Sequence, residues 1–243
     1  MTYLKLLLIR HAQSLGNVQK IMEGQSSTAL SVMGQHQAKQ LAHWLQTSTN
    51  LPTHLYSSPL MRAQQTAEAI ATALSATQHS FIYTETTALH ELHLGIFQGL
   101  TWPQAQVQYP DLCRQLMATL TWCPIPQAET PLAARNRAQS WFNHILNSHA
   151  AGDVIWAVSH EGFLQHLIAV VMGCDHTWKI QVAHTAIFEF WRFHPTASQS
   201  AIADEATDGC SCNLDCSNPD DFNPELWMLH RFNDCQHLSE HHI

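Results

Sequence analysis

THLYSSPLMRAQQTAEAIATAL, residues 53–74, changes its pattern halfway along. Thr53 to Ser58 is short and rich in strand formers, and it reads as a strand. From Ser58 the period becomes helical: Ser58 stands at an N-cap, Pro59 at the first helical position, and Leu60, Ala63, Ala67, Ile70 and Leu74 form one apolar stripe. A strand that feeds directly into an amphipathic helix is half of a βαβ unit.

The flanking sequence repeats the unit. Leu4–Ile9 is a continuous apolar run, suited to a strand buried on both faces. LSVMGQHQAKQLAHWL (30–45) reads as a helix capped by Ser31, with Ala38, Leu41, Ala42 and Leu45 on one face. A third strand is expected around Phe81–Thr84, a helix over 132–149, and a strand in DVIWAVSH (153–160), followed by the apolar helix GFLQHLIAVVMG. TAIFEFWRF (185–193) and LWMLHRF (226–232) look like closing strands. Alternating strands and helices predict an α/β three-layer sandwich, with a mainly parallel central sheet flanked by helices. Residues 92–131, with Trp102, Trp122 and five prolines, read as a lobe inserted over the sheet of a single domain spanning 1–243. An acidic, Cys-containing insertion at about 196–224 precedes the closing strand.

Composition excludes several classes of function. Residues 1–195 carry ten Lys+Arg and ten Asp+Glu, so the net charge of −8 arises wholly in residues 196–243. A neutral body with an acidic end lacks the basic footprint that nucleic acid requires. No apolar run is long enough for a membrane span, and the apolar start is too short for a signal peptide. Seven Cys do not form an evident disulfide framework, so a cytoplasmic location is expected.

Three of the expected strands end in reactive residues: the first in Arg10-His11, the second in Ser57-Ser58 with Arg62 in the next helix, and VIWAVS (154–159) in His160. Ligands of open α/β sheets bind at the carboxyl ends of strands, so these residues should share one edge. Two Arg near helix starts describe an oxyanion site, and a phosphoryl group matches guanidinium best. No Gly-rich dinucleotide loop, P-loop or Gly-x-Ser-x-Gly elbow is present. HELH (90–93) has the wrong spacing for a zinc-protease helix, and CSCNLDC (210–216) lacks a standard ligand spacing, so an irregular insertion is the favoured reading there.

These motifs resemble the histidine phosphatase superfamily, which includes phosphoglycerate mutases. The resemblance rests on RHAQSLGN (10–17), LSVMGQHQA (30–38), SPLMRAQQTA (58–67), LHELHLGIFQG (89–99), VSHEGFL (158–164) and the closing FNDCQHL (232–238). Ala12 and Glu161 stand where the family more often has Gly. The resemblance implies a nucleophilic His11, with Arg10, Arg62 and His160 binding the phosphoryl oxygens and Asn17 adding a neutral donor. Glu91 would be the acid that protonates the leaving oxygen, with Glu85 and Glu161 as competitors. Ser14, Gly24 and Ser57 are either pocket residues or ordinary loop residues. Neither cofactor nor metal is required for such chemistry.

The implied activity is hydrolysis of a small-molecule phosphate ester through a phosphohistidine. A mutase that returns the phosphoryl group to another hydroxyl is the alternative, and a non-catalytic phosphate-binding module is the third reading. Between residues 92 and 131 the only Lys or Arg is Arg114, whereas Phe97, Trp102, Tyr109 and Trp122 are aromatic. That composition favours a phosphatase for a neutral or aromatic ester body, because each extra substrate anion needs its own partner. Glu161 is expected to narrow the pocket or repel anionic substrates.

Overall fold

The computed structural model describes residues 2–118, 123–193 and 227–238. Trp122 and the 196–224 insertion lie outside the described residues. Six strands form one sheet: β1 (Tyr3–Arg10), β2 (His54–Ser57), β3 (Ile82–Glu85), β4 (Val154–Ser159), β5 (Ile187–Phe193) and β6 (Trp227–Asp234), in the order β3-β2-β4-β1-β5-β6. The first four of that order run parallel, whereas β5 pairs antiparallel with β1 and β6 antiparallel with β5. The sheet is therefore mostly parallel, with an antiparallel flank.

The helices are α1 (Leu15–Val18), α2 (Val32–Gln46), α3 (Met61–Ala76), α4 (Trp102–Gln108), α5 (Pro110–Ala118), α6 (Pro131–Ser148) and α7 (Glu161–Val171). β1 explains why they form two layers. Its side chains alternate between faces. Leu4, Leu6 and Leu8 enter a core with Trp141, Phe142 and Phe163, from α6 and α7. Leu7 and Ile9 enter the opposite core with Leu41, Leu45 and Ile70, from α2 and α3. Both faces are dry, which is why the strand is apolar without interruption. Truncating one of these leucines to Ala should cost about 2–5 kcal/mol.

Helix boundaries follow the local signals with one instructive exception. Ser31 caps α2 by accepting the Gly34 N–H, and Thr130 caps α6, with Pro131 at its first position. Ser58 does not cap α3, which starts at Met61 after Leu60. The Ser58 hydroxyl accepts the Leu60 N–H at 3.3 Å and also contacts His160 Nε2 at 2.8 Å. It closes the turn before the helix while holding a side chain from another strand end.

The lobe has its own small core. Phe97 and Ala105 are buried there with Cys113, and Trp102, Tyr109 and Leu112 pack around them. No described helix is long and apolar enough to cross a membrane.

Candidate active site

Strand register gathers the reactive residues. Arg10 pairs with Ser159 and Ser57 with Val158, so three parallel strands end side by side. The residues that follow them, His11, Ser58 and His160, are then forced together. The His11 and His160 rings lie 5.0 Å apart, and both are buried.

His11 is fixed through both ring nitrogens. Nδ1 lies 2.7 Å from the Ala12 carbonyl, which acts as acceptor for an Nδ1–H. Nε2 is left with a lone pair, and Arg62 Nε donates to it at 3.2 Å. Burial, followed by the positive fields of His160, Arg62 and Arg10, pushes the His11 pKa well below the ordinary imidazole value. The ring is neutral at physiological pH, with its free nitrogen turned toward the guanidinium. The Ala12 methyl packs with Leu30 and Ala38 and does not line the cleft, so a side chain in place of the family's Gly obstructs nothing.

Arg62, on the first turn of α3, is fully buried. Nη1 donates to the Ser26 carbonyl at 2.6 Å and Nη2 to the Gly24 carbonyl at 2.8 Å, which sets the plane of the fork. Gly24 has φ +50, and a Cβ there would meet Gln98 Oε1 at 2.7 Å. The left-handed turn that presents its carbonyl to Arg62 thus favours glycine. Arg10 contacts the Val182 carbonyl and Glu161 Oε2, the latter at 3.0 Å. Glu161 therefore occupies part of the guanidinium that faces the cleft.

Glu91 closes the opposite wall. Oε1 accepts the backbone N–H of Leu92 and of Phe163, and Oε2 accepts that of Gly162. The carboxyl therefore caps α7, whose N-cap, His160, makes no side-chain cap bond. Gly162 makes this possible, because a Cβ there would sit 2.7 Å from Glu91 Oε1. Burial raises the Glu91 pKa above the usual carboxylate value, against the opposing pull of those N–H groups and Arg62. His160 Nε2 contacts Ser58 Oγ, and burial, then Arg62, lowers its pKa well below the ordinary value.

The cleft that results is small, about 190 Å³. Arg10, His11, Asn17, Gly24, Arg62 and Glu91 all line it. His160 lies just beneath, on Ser58. Ser14 and Ser57 do not line it. Ser14 caps α1 and donates to Glu23 Oε2, while Ser57 Oγ donates to the Ser58 carbonyl. Glu85, at the end of β3, accepts from Gln64 and Tyr83 and is not in the lining.

One carboxylate joins the cleft that motif reading did not assign. Glu23 is buried, accepts from Ser14 and Asn17, and stands 3.8 Å from Arg62 Nη1. Its one sequence signal is isolation, since no other Asp or Glu precedes Glu68. Thr66 was also missed; it accepts the Ala12 N–H and donates to the Arg62 carbonyl, tying the turn after His11 to α3.

The lobe departs from the sequence expectation. Phe97, Trp102 and Tyr109 pack on one another and leave Leu92 and Leu94, with Ile21, as the apolar wall of the cleft. Arg114 pairs with Asp111 on the exposed surface. These three rings stabilise the lobe, and among the described residues no aromatic side chain of the lobe lines the cleft.

A family model described as histidine phosphatase superfamily (branch 1) matches residues 6–199. A putative phosphoserine phosphatase 2 of Hydrogenobacter thermophilus is 27% identical over 188 residues, covering 76% of this chain and 88% of that protein. A probable phosphoglycerate mutase GpmB of Proteus mirabilis is 31% identical over 170 residues, covering 70% and 75%. Among solved structures, a mycobacterial glucosyl-3-phosphoglycerate phosphatase aligns with TM-score 0.66 and 25% identity, over 78% of this chain and 91% of that one. An alpha-ribazole phosphatase from Shigella flexneri shares the fold, with TM-score 0.71 at 21% identity over 95% and 96%.

Proposed function

The chain belongs to the histidine phosphatase superfamily, branch 1, and from that premise we propose that it hydrolyses small phosphate monoesters through a phosphohistidine on His11. The observation that carries this reading is the state of His11: a neutral imidazole, its proton held on Nδ1 by the Ala12 carbonyl, and Nε2 turned toward Arg62.

In the first step the Nε2 lone pair attacks phosphorus while the bond from phosphorus to the ester oxygen breaks. Glu91 gives its proton to that oxygen, a role that its raised pKa supports. The Ala12 carbonyl stabilises the cationic ring that forms. Arg10 and Arg62 neutralise the equatorial oxygens, where transition-state charge resides, and His160 and Asn17 bind them as neutral donors. In the second step Glu91, now ionised, takes a proton from water. The hydroxide attacks phosphorus, the N–P bond breaks, and inorganic phosphate leaves. The chemistry runs on two guanidiniums and imidazole, with no step assigned to a metal.

Charge in the cleft favours hydrolysis over mutase transfer. Arg10 and Arg62 face Glu23, Glu91 and Glu161, and the one basic residue of the lobe, Arg114, lies on the outer surface. A phosphoglycerate carboxylate would meet carboxylates without a cation of its own. Substrates with one phosphate and a neutral body fit this balance, and the apolar wall suits an aliphatic portion.

Purified protein should be assayed against a panel of phosphomonoesters with neutral, acidic and bisphosphorylated bodies. We expect phosphate release, highest in kcat/KM for the neutral bodies. Interconversion of 2- and 3-phosphoglycerate faster than phosphate release would overturn the proposal in favour of a mutase.

A further inference from the structure

The edge of the sheet remote from the cleft carries a second pair of imidazoles. His54 opens β2, His149 ends α6, and Asp153 directly precedes β4. β2 and β4 are parallel neighbours, with His54 opposite Ile155, so their N-terminal ends bring the three residues to one corner. The ring centroids of His54 and His149 are 4.3 Å apart, and one ligand atom from each of the three residues lies within 4.8 Å of the others.

His149 gives this corner its character. Its side chain is 4% exposed, and its Nδ1 has no hydrogen-bond partner. Asp153 Oδ2, which also accepts the Ala150 N–H, stands 3.5 Å from that nitrogen, close enough for attraction. The separation matches two donors on one zinc ion, since tetrahedral bonds of about 2.0–2.2 Å put neighbouring donors about 3.4 Å apart.

The far side of the ring fits the same state. Nε2 is 2.9 Å from the Tyr56 hydroxyl. Ligating histidines commonly hand their second N–H to an oxygen, and the buried phenol offers one. With the proton on Nε2, Nδ1 turns a lone pair toward the carboxylate, and two acceptors face each other across a gap that calls for a cation. Among the described residues Asp153 has no Lys or Arg ion-pair partner.

We propose that His54, His149 and Asp153 bind one divalent ion of the zinc class, with solvent completing the shell on the partly exposed His54 side. Two imidazoles and one carboxylate suit a borderline metal, whereas magnesium and calcium require more oxygen ligands. The widest donor pair has to close by at most about 1.4 Å, which a side-chain rotation provides. The ion would clamp the end of α6 to the start of β2 and β4.

The test uses the full chain, stripped with a chelator and carrying Cys210→Ser, Cys212→Ser and Cys216→Ser to remove the competing thiols. Titration with zinc chloride should show one ion per chain and raise the unfolding temperature by several degrees. Cobalt should give visible tetrahedral bands without a thiolate charge-transfer band. His54→Gln and Asp153→Asn, the less buried ligands, should each weaken zinc binding by roughly 100-fold or more, beyond the loss typical of outer-shell changes, and leave turnover within about twofold of the parent. Absence of 1:1 binding, or binding that survives both substitutions, would overturn the proposal.

Discussion

Each end of the central sheet holds two imidazoles within about 5 Å, yet their companions differ. At the carboxyl ends, His11 and His160 are 5.0 Å apart, with Arg62 donating to His11 and Arg10 alongside. At the amino ends, His54 and His149 are 4.3 Å apart, with Asp153 facing them and a phenol behind. On the proposed readings imidazole is a nucleophile in one setting and a ligand in the other. What it meets is decided by the neighbours: guanidinium groups attract an anion, and a carboxylate attracts a cation. The two ends are separated by the length of β4, roughly 20 Å at 3.3 Å per residue.

The sharpest way to break this comparison is to remove one imidazole from each end. His11→Ala should abolish phosphate release, a loss of at least about 1000-fold in kcat, whereas His54→Gln should leave kcat nearly unchanged. Comparable losses in steady-state assays would show that the ends are not separate. Arg62→Ala belongs with His11, at about 100- to 1000-fold.

Glu91→Gln should come next and should depend on the ester. Alkyl phosphates, with poor leaving groups, should lose about 100-fold or more, while activated aryl phosphates lose little. The pH profile gives an independent check. Activity requires neutral His11, present above its lowered pKa, and protonated Glu91, present below its raised pKa. The rate should fall on the alkaline side as Glu91 ionises, and this limb should vanish in Glu91→Gln. Equal losses on both ester types would remove Glu91 from the acid role.

A smaller effect tests the charge balance of the cleft. Glu161→Gln removes the carboxylate from Arg10 and should lower KM for acidic phosphomonoesters roughly 3- to 10-fold, about the size of one partly exposed ion pair. Neutral esters should respond less. An unchanged ratio of acidic to neutral substrates would mean that Glu161 does not set selectivity.

The smallest effect is on stability. His11 and His160 are held well below the ordinary imidazole value by burial and by neighbouring positive charge. The unfolded chain takes up these protons below about pH 6.5, whereas the folded chain does so only at lower pH. Stability is therefore full above that value and declines as pH falls toward the folded values. Urea midpoints measured between pH 7.5 and 5 (about 1.4 kcal/mol per unit of pKa shift) should show the decline, with a shallower slope in His11→Asn.

What the sequence disclosed followed from short-range pattern. The apolar run at Leu4–Ile9 and the stripe at Ala63, Ala67, Ile70 and Leu74 located the strand and helix that carry His11 and Arg62, because period and burial are local properties. What it withheld depended on direction and on distant partners. Ser57 and Ser58 are adjacent, yet only Ser58 reaches His160, a difference of one residue that strand geometry turns into opposite faces. Rings in the lobe suggested a binding surface, but a small subdomain first needs a core of its own, and Phe97, Trp102 and Tyr109 serve there. Glu23 and Asp153 carry no motif at all. Arg62 reaches Glu23 from another turn of the fold, and His54 joins Asp153 and the nearby His149 from a separate strand, so no spacing rule assembles either group.

The grip on Glu91 has a kinetic consequence. Three backbone N–H groups, two of them on one oxygen, hold the carboxyl in a single orientation. A group pinned in this way cannot swing between two visitors, so on the proposed chemistry the departing alcohol and the incoming water use the same place in turn. The alcohol must vacate before water enters, which orders product release: alcohol first, phosphate last. A second alcohol that lingers there would compete with water for the phosphorylated histidine, and the enzyme's preference for hydrolysis over transfer becomes a matter of residence time.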